Sequence, residues 1–572
     1  MRQARITYVP YIEGRKKVSL FDHQKEAVEI FKDKDDIALF FEMGCGKTAT
    51  LLKIAEEKFK NGEIKGMLVV APNDVHKQWF DDLVACKFDS NAISWLDIPF
   101  EAQCVGGRGG QKELCLFDYD DTFKFVSVNV DTFSTASKWK KIVEWANSDN
   151  YLIAIDEATV IKNPDSLRSK RLIYEFNDTL KRGKSVVFSK KKHPCRAVLT
   201  GTPVTNGPID LWSIMEFVHP NFFNRNYYSF KNYFGMFTKI TAADSLGNSR
   251  EISVLLTEKT WNAIKHCNDY YEANCLFGCS EDTYMTIMHQ NSFLGPYKHA
   301  DELKHQIEKV AVFRKLVDCV DMPATNYVVR RVAMSPEQEG VYKSMKRDLL
   351  AEYTSKGSEY MTTAKNKLVV GIRLQQISSG FIVGKKVADE AYDISMFLDK
   401  DDTGNIVDIN RDLMPDEVIW LGNNLPKLDA LMRDIDECDK PVIILTRYTA
   451  EAAKIFELCK EKYNTCLITG WKTVGSIDEF KQGKFQVMVA NSTKISRGFN
   501  LQIAHTTIFY SNSFSMEIRQ QAEFRTFRIG QTRPCLYIDY TCSEIDDTIN
   551  NALHLKKNLL EYIRDKDIND FV

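Results

Sequence analysis

Several things are scarce in this 572-residue chain, and each absence narrows what it does. No apolar run reaches the ~18 residues that a bilayer-crossing helix needs, so no membrane span is expected. The first residues, Met1-Arg2-Gln3-Ala4-Arg5-Ile6, lack the apolar core of a secretory signal. There is almost no net charge: 76 Lys and Arg against 78 Asp and Glu leave −2. Any binding to nucleic acid must therefore come from a local groove, not from overall charge. No internal repeat of about 20–50 residues and no low-complexity block is present, which excludes solenoid and disordered-tail architectures. The 14 cysteines are scattered along the chain, as expected of reduced thiols in a cytoplasmic compartment. What remains is 44% hydrophobic and 27% charged, the composition of a globular protein too long for one core, so roughly three or four folding units are expected.

The most informative stretch is Phe40-Phe41-Glu42-Met43-Gly44-Cys45-Gly46-Lys47-Thr48. It follows the apolar run 37–41 and opens onto a helical pattern through Ala49, Leu51, Leu52, Ile54 and Ala55. A strand, a glycine turn and a helix in that order make an anion cradle. Glycines let backbone N–H groups crowd toward phosphate oxygens, and the helix dipole adds partial positive charge. Lys47 is placed to reach the β- and γ-phosphates, and the Thr48 hydroxyl to ligate Mg²⁺. Phe41 stands where the full P-loop pattern has a glycine. About 20 residues upstream, Gln24 begins a helical pattern beside Phe21. Its spacing leaves two readings open: a bidentate partner for an adenine edge, or an exposed residue at a helix start.

Further along, a continuous apolar run at 67–71 and a candidate strand at 125–130 alternate with helical patterns, one of which carries Trp79. That alternation predicts a parallel sheet covered by helices on both faces. Residues 151–155 form another apolar run, ending in Asp156-Glu157. Two adjacent carboxylates at a strand end are costly unless solvated, paired or bound to metal. At the carboxyl edge of a P-loop sheet, Asp156 would hold Mg²⁺ and Glu157 would orient or deprotonate an attacking water. The strand at 197–199 runs into Thr200-Gly201-Thr202-Pro203, a hydroxyl-bearing turn placed to sense a nucleotide.

Three middle segments read more plainly. Residues 181–196 are rich in Lys and Arg and predict a solvated basic loop, with phosphate contact as the alternative. Residues 221–237 hold eight aromatics at helical spacing and predict a core stripe rather than a base-stacking platform. His266, Cys267, Cys275, Cys279 and His289 have no CxxC pair and match no common zinc spacing. Beyond an acidic stretch at 386–422, read as a linker, strand patterns return at 441–446, 465–469, 485–490, 506–510 and 536–540. This second lobe has no P-loop, so its contribution should be positive charge toward the γ-phosphate. Arg525 and Arg528 stand three apart in a helical pattern, one face of a helix by spacing, which by itself favours a basic surface.

The motifs together resemble a known family. Leu199-Thr200-Gly201-Thr202-Pro203-Val204-Thr205-Asn206, continuing through Leu211-Trp212-Ser213, resembles motif III of the Swi/Snf-type ATPase motors, the chromatin-remodeller class of superfamily-two helicases. Residues 42–48 resemble their motif I, residues 156–163 their motif II, and the run from Gln521 through Arg525 and Arg528 to Gln531 their motif VI. Ser496-Arg497-Gly498-Phe499-Asn500-Leu501 resembles motif V, with its paired glycines reduced to Gly498. Thr159 stands where the family has a His, Phe41 where it has an Asp, and Phe524 and Phe527 where it has Asp and His. The resemblance covers about residues 18–550 with the motifs in order.

It implies two RecA-like parallel-sheet lobes with helical insertions: lobe 1 over 1–220, a helical protrusion over 221–312, a return segment with second protrusion and linker over 313–440, lobe 2 over 441–545, and a bracing helix over 546–572. It implies ATP and Mg²⁺ as cofactors. Lys47, Asp156, Glu157, Arg525 and Arg528 would be catalytic; Gln24, Met43, Gly44, Cys45, Gly46, Lys47, Thr48, Gly498 and Gln521 would bind nucleotide; Thr48 and Asp156 would hold the metal. The implied activity is ATP-driven movement on DNA, duplex first, with RNA as a further possible track. A strand-separating helicase and an ATP-binding clamp without motor activity are the rivals. The length leaves no room for large chromatin-reading modules, so a stand-alone motor of bacterial or viral type in replication, repair or recombination is expected, in the host cytoplasm if viral.

Overall fold

A computed structural model describes the chain except residues 1–5, 13–14, 90, 108–110, 112–113, 116, 136, 183–184, 192–194, 206, 244–248, 291–295, 349, 356–357, 364–366, 384, 387–398, 401–405, 409–417, 496–499 and 565–572. The chain divides into two compact units, Met1–Lys315 with Leu555–Val572, and Leu316–His554.

The first unit is built on one eight-stranded sheet. In chain order its elements include β1 (Thr7–Val9), α1 (Asp22–Phe31), β2 (Asp36–Phe41), α2 (Lys47–Lys60), β3 (Gly66–Ala71), α3 (Asn73–Phe88), β4 (Phe100–Val105) and β5 (Phe123–Asn129). They continue with α4 (Lys138–Ala146), β6 (Tyr151–Asp156), α5 (Leu167–Tyr174), β7 (Arg196–Leu199), α6 (Leu211–Val218) and β8 (Ala311–Arg314). The spatial order is β1-β4-β5-β3-β6-β7-β2-β8, parallel throughout except for the β1–β4 pair. Every residue of β3, β5 and β6 is buried, as expected of central parallel strands covered on both faces, although β5 carries the polar Lys124, Ser127 and Asn129.

Between β6 and β7 the expected basic loop is in part a hairpin, Asn177–Arg182 paired antiparallel with Ser185–Lys191. The aromatic segment folds as expected: the helix Tyr227–Phe234 places Phe230 and Phe234 with Phe223 in the core of the unit, while Tyr228 stays exposed. In the Cys/His group beyond it, Cys267 packs against the cluster that holds Cys279. His266 and His289 each bond a carbonyl four residues back, and Cys279 sits in a small apolar cluster around Trp261 and Ile264.

The second unit holds a seven-stranded sheet. Its strands are β9 (Thr325–Arg331), β10 (Val442–Thr446), β11 (Thr465–Ile468), β12 (Thr473–Val474), β13 (Val487–Asn491), β14 (Thr506–Phe509) and β15 (Cys535–Thr541), ordered β9-β15-β14-β10-β13-β11-β12. All neighbours are parallel except the β11–β12 hairpin. Helices include α7 (Pro336–Asp348), α8 (Lys367–Ser378), α9 (Pro426–Glu437), α10 (Thr449–Cys459), α11 (Met516–Thr526) and, as far as His554, α12 (Glu544–Arg564). The expected linker at 386–422 lies mostly outside the described residues, as does the tail of the C-terminal segment. The two parallel sheets with their helices are the fold class expected from the sequence.

Candidate nucleotide site

Strand β2 delivers the glycine loop and strand β6 delivers Asp156, with only β7 between them. Leu199 at the end of β7 is in register with Leu39 on one side and Asp156 on the other. At the ordinary spacing of parallel strands, residues Leu39 and Asp156 are thus roughly 10 Å apart along the carboxyl edge of the sheet. Open parallel sheets bind ligands at that edge, because strand ends and helix N-termini converge there.

The loop depends on left-handed backbone at Gly44 (φ 91°) and Gly46 (φ 78°), a region that costs little without a Cβ. Gly46 is also the N-cap of α2, so Lys47 and Thr48 open the helix. Lys47 Nζ donates to the Phe41 carbonyl at 3.1 Å. Gln24 is not the exposed helix-start residue that one reading of its spacing describes; it lies buried against this loop. Its Nε2 donates to the Cys45 carbonyl at 3.1 Å, and its Oε1 accepts from the Phe21 amide at 2.9 Å. His23 Nε2 lies 2.9 Å from the same carbonyl. A Cβ on Gly46 would collide with the Gln24 amide. The helix-start glutamine and the loop glycine therefore form one packed unit.

Asp156 is buried at the end of β6. Its Oδ2 accepts from Trp79 Nε1 at 2.7 Å and its Oδ1 from the Glu157 amide at 2.9 Å. Burial pushes its carboxyl above the usual range, while the Lys47 ammonium, the Trp79 indole and the Glu157 amide pull the other way. Glu157 follows in left-handed backbone, φ 50° and ψ 58°.

The Thr200–Pro203 turn packs on the glycine loop. A Cβ on Gly201 would stand 3.3 Å from the Phe41 carbonyl oxygen and 3.4 Å from the Met43 nitrogen, so that position suits a residue without a side chain. Lys162, six residues beyond Asp156, donates to Thr205 Oγ1 at 2.9 Å. Thr205 in turn donates through Oγ1 to Asp210 Oδ2 at 2.7 Å. These bonds tie the segment after Asp156 to the one after Thr202 without the histidine that Thr159 replaces.

Trp79 and Lys162 make the contacts around Asp156 and Thr205 that the sequence did not reveal. Nothing in the spacing of Trp79, 77 residues before its partner, signals the bond; Lys162 was at least inside the run 156–163.

In the second unit α11 ends at Thr526, with Phe527 as its C-cap. Arg525 is therefore in the last helical turn and Arg528 beyond the helix, so the two do not share one helical face as their spacing suggested. Arg525 is buried, and desolvation without a compensating carboxylate lowers the Arg528 guanidinium from its ordinary value. Gln521 donates to Glu517 within the same helix at 3.4 Å. Gln531 holds the turn: its Nε2 donates to the carbonyls of Gln502, Ala504 and Thr526, and its Oε1 accepts from the Thr532 and Arg533 amides. Arg519 is clamped between Asp539 and Glu523. Gly498 and its neighbours 496–499 lie outside the described residues.

The donor chemistry near the loop fits Mg²⁺. Among the described residues no group of three or more His, Cys, Asp or Glu side chains gathers as a protein cage. One buried carboxylate and the Thr48 hydroxyl are hard oxygen donors of the kind that Mg²⁺ shares with water and phosphate.

A model of the SNF2-related domain matches residues 23–380, and one of the helicase conserved C-terminal domain matches residues 426–530. The chain is 22% identical over 522 residues to the probable ATP-dependent DNA helicase CHR12 of Arabidopsis thaliana, covering 88% of this chain and 38% of that one. It is 23% identical over 610 residues to the ATP-dependent helicase FUN30 of Saccharomyces cerevisiae, covering 98% of this chain and 48% of that one. It thus spans less than half the length of either relative. Among solved structures, the Sulfolobus solfataricus SWI2/SNF2 ATPase core in complex with dsDNA aligns at a TM-score of 0.36 and 17% identity, covering 97% of this chain and 95% of that one. With more than half its length matched by one family model, and that match holding the glycine loop, Asp156 and the Thr200–Pro203 turn, the chain belongs to the SNF2-related family.

Proposed function

We propose that the protein is an ATP hydrolase that uses Mg²⁺ and moves on duplex DNA. The observation that supports this most is the convergence of Lys47, Asp156, Glu157 and Gly201 at one sheet edge, with Asp156 buried and the loop held in place by Gln24. Lys47 and the amides of Met43 to Thr48 bind the phosphates, releasing the lysine from the Phe41 carbonyl that now holds it. Thr48 and Asp156 would hold the metal, which neutralises charge on the β- and γ-phosphate oxygens when bound. Glu157 orients the attacking water and accepts its proton. Arg525 and Arg528 donate positive charge to the transferred phosphate. Gln24 meets the adenine edge and Gln521 and Gly498 complete the nucleotide contacts, as the family resemblance implies. DNA as the track rests on that resemblance and on the relative named as a DNA helicase. The pathway we propose is replication, repair or recombination.

Hydrolysis rates with duplex DNA, single-stranded DNA, RNA and no nucleic acid test this reading. Stimulation by duplex DNA and loss of turnover by at least about 100-fold in Glu157→Gln are expected, the size typical of removing a positioned base. Lack of duplex stimulation would sink the translocase reading. Unchanged turnover in Glu157→Gln would mean that the water is activated elsewhere.

A further inference from the structure

Trp79 is a buried indole on α3, stacked on Phe125 of β5 with ring centroids 6.3 Å apart. Core tryptophans of this kind usually need only some acceptor for the indole N–H. Here the acceptor is the one carboxylate at the sheet edge that the proposed function assigns to the metal. Resting on that reading, we infer that Trp79 is a positioning residue: its indole N–H fixes the Asp156 carboxylate in the orientation that receives Mg²⁺.

The geometry supports this from both oxygens. Oδ2 is held by the indole of α3 and Oδ1 by the Glu157 amide of its own turn. Two donors from different elements fix the plane of the carboxylate. A carboxylate has about four lone-pair sites, so each oxygen keeps one for a cation or its water. The stacking on Phe125 locks the rotamer of the donor, so the carboxylate inherits the rigidity of the sheet. Groups that hold a metal ligand from behind typically matter about 10–100-fold for metal affinity.

The test uses the full chain and a fluorescent ATP analogue, with binding measured with Mg²⁺ and with EDTA. In the wild type Mg²⁺ should tighten nucleotide binding. Trp79→Phe keeps a ring on Phe125 and removes the donor; it should lower the apparent Mg²⁺ affinity in that assay by roughly 10-fold while leaving binding in EDTA unchanged. Trp79→Leu, which also lacks the donor, stands in where the first variant does not fold. In an Asp156→Asn background the Trp79 change should add nothing, because the coupling runs through that one carboxylate. Equal losses with and without Mg²⁺ would make Trp79 a packing residue and overturn the inference. An unchanged Mg²⁺ response would overturn it as well. A wild type with no Mg²⁺-dependent nucleotide binding would instead overturn the proposed function, and the inference with it.

Discussion

Glu157 shows how much a single position can hold. Its φ of 50° and ψ of 58° are a left-handed conformation that an L residue with a Cβ enters at a cost of roughly 1–2 kcal/mol. That backbone turns the chain out of β6 into the short helical turn Ala158–Ile161, while the Glu157 amide donates to Asp156 Oδ1. A residue without a Cβ escapes that cost, less what glycine loses in the unfolded chain. Glu157→Gly should therefore be more stable than Glu157→Ala by about 1 kcal/mol in urea melts, with both inactive. Equal midpoints would show that the turn relaxes when the carboxylate is gone. The carboxylate pair itself was legible in the sequence, because an apolar run that closes on Asp-Glu leaves two charges where burial is costly unless they bind, pair or meet water. The bonds that position it were not, since Trp79 approaches from another helix and leaves no periodic trace.

Helix α6 makes the corresponding point for an element. All eight of its residues are buried, and one of them is Glu216. Burial, only partly offset by the Asn221 amide at 2.9 Å, pushes its carboxyl up to about 7. In the unfolded chain the group ionises near its ordinary value of 4.5, so between there and about 7 the folded state binds more protons. Stability contributed by this group is thus fully present at low pH and falls as pH rises toward 7, by up to about 3 kcal/mol. Glu216→Gln keeps an acceptor for Asn221 and removes the ionisation. Its melting temperature should gain on the wild type between about pH 5 and pH 8, and an unchanged difference would show that Glu216 ionises normally. Element boundaries were the weaker part of the sequence reading. The helical pattern of 521–531 hid the end of α11 at Thr526, which separates Arg525 from Arg528. The basic residues at 181–196 drew the reading toward a loop, although the apolar residues 186–188 between them lie in one strand of a hairpin.

For the molecule as a whole, the two units each carry a parallel sheet, and the net charge of −2 leaves no global attraction for a polyanion. Under the proposed function, contacts to DNA are phosphate contacts by local Lys and Arg, whose strength depends on counterion release. The DNA concentration that half-stimulates hydrolysis should therefore rise steeply between about 50 and 200 mM salt, with log–log slope proportional to the phosphates engaged. A flat salt response would point to binding without backbone contacts and against the motor reading. Among the described residues no helix is long and apolar enough to cross a membrane.

Read alone, the sequence determined the two α/β lobes, the glycine loop with Lys47 and Thr48, the Asp156-Glu157 pair and the family. Those features are local: apolar runs dictate buried strands, a glycine turn dictates a cradle, and motif order along the chain is visible without folding it. Tertiary structure decided what holds them. That β7 separates β2 from β6, that Gln24 braces the Cys45 carbonyl, that Lys162 reaches Thr205 and that Trp79 grips Asp156 all depend on residues brought together from different elements. Hydrogen bonds between packed elements follow from strand order and side-chain direction, neither of which has a period that a linear reading detects. The loop was legible; the frame that holds the Asp156 carboxylate became so only in three dimensions.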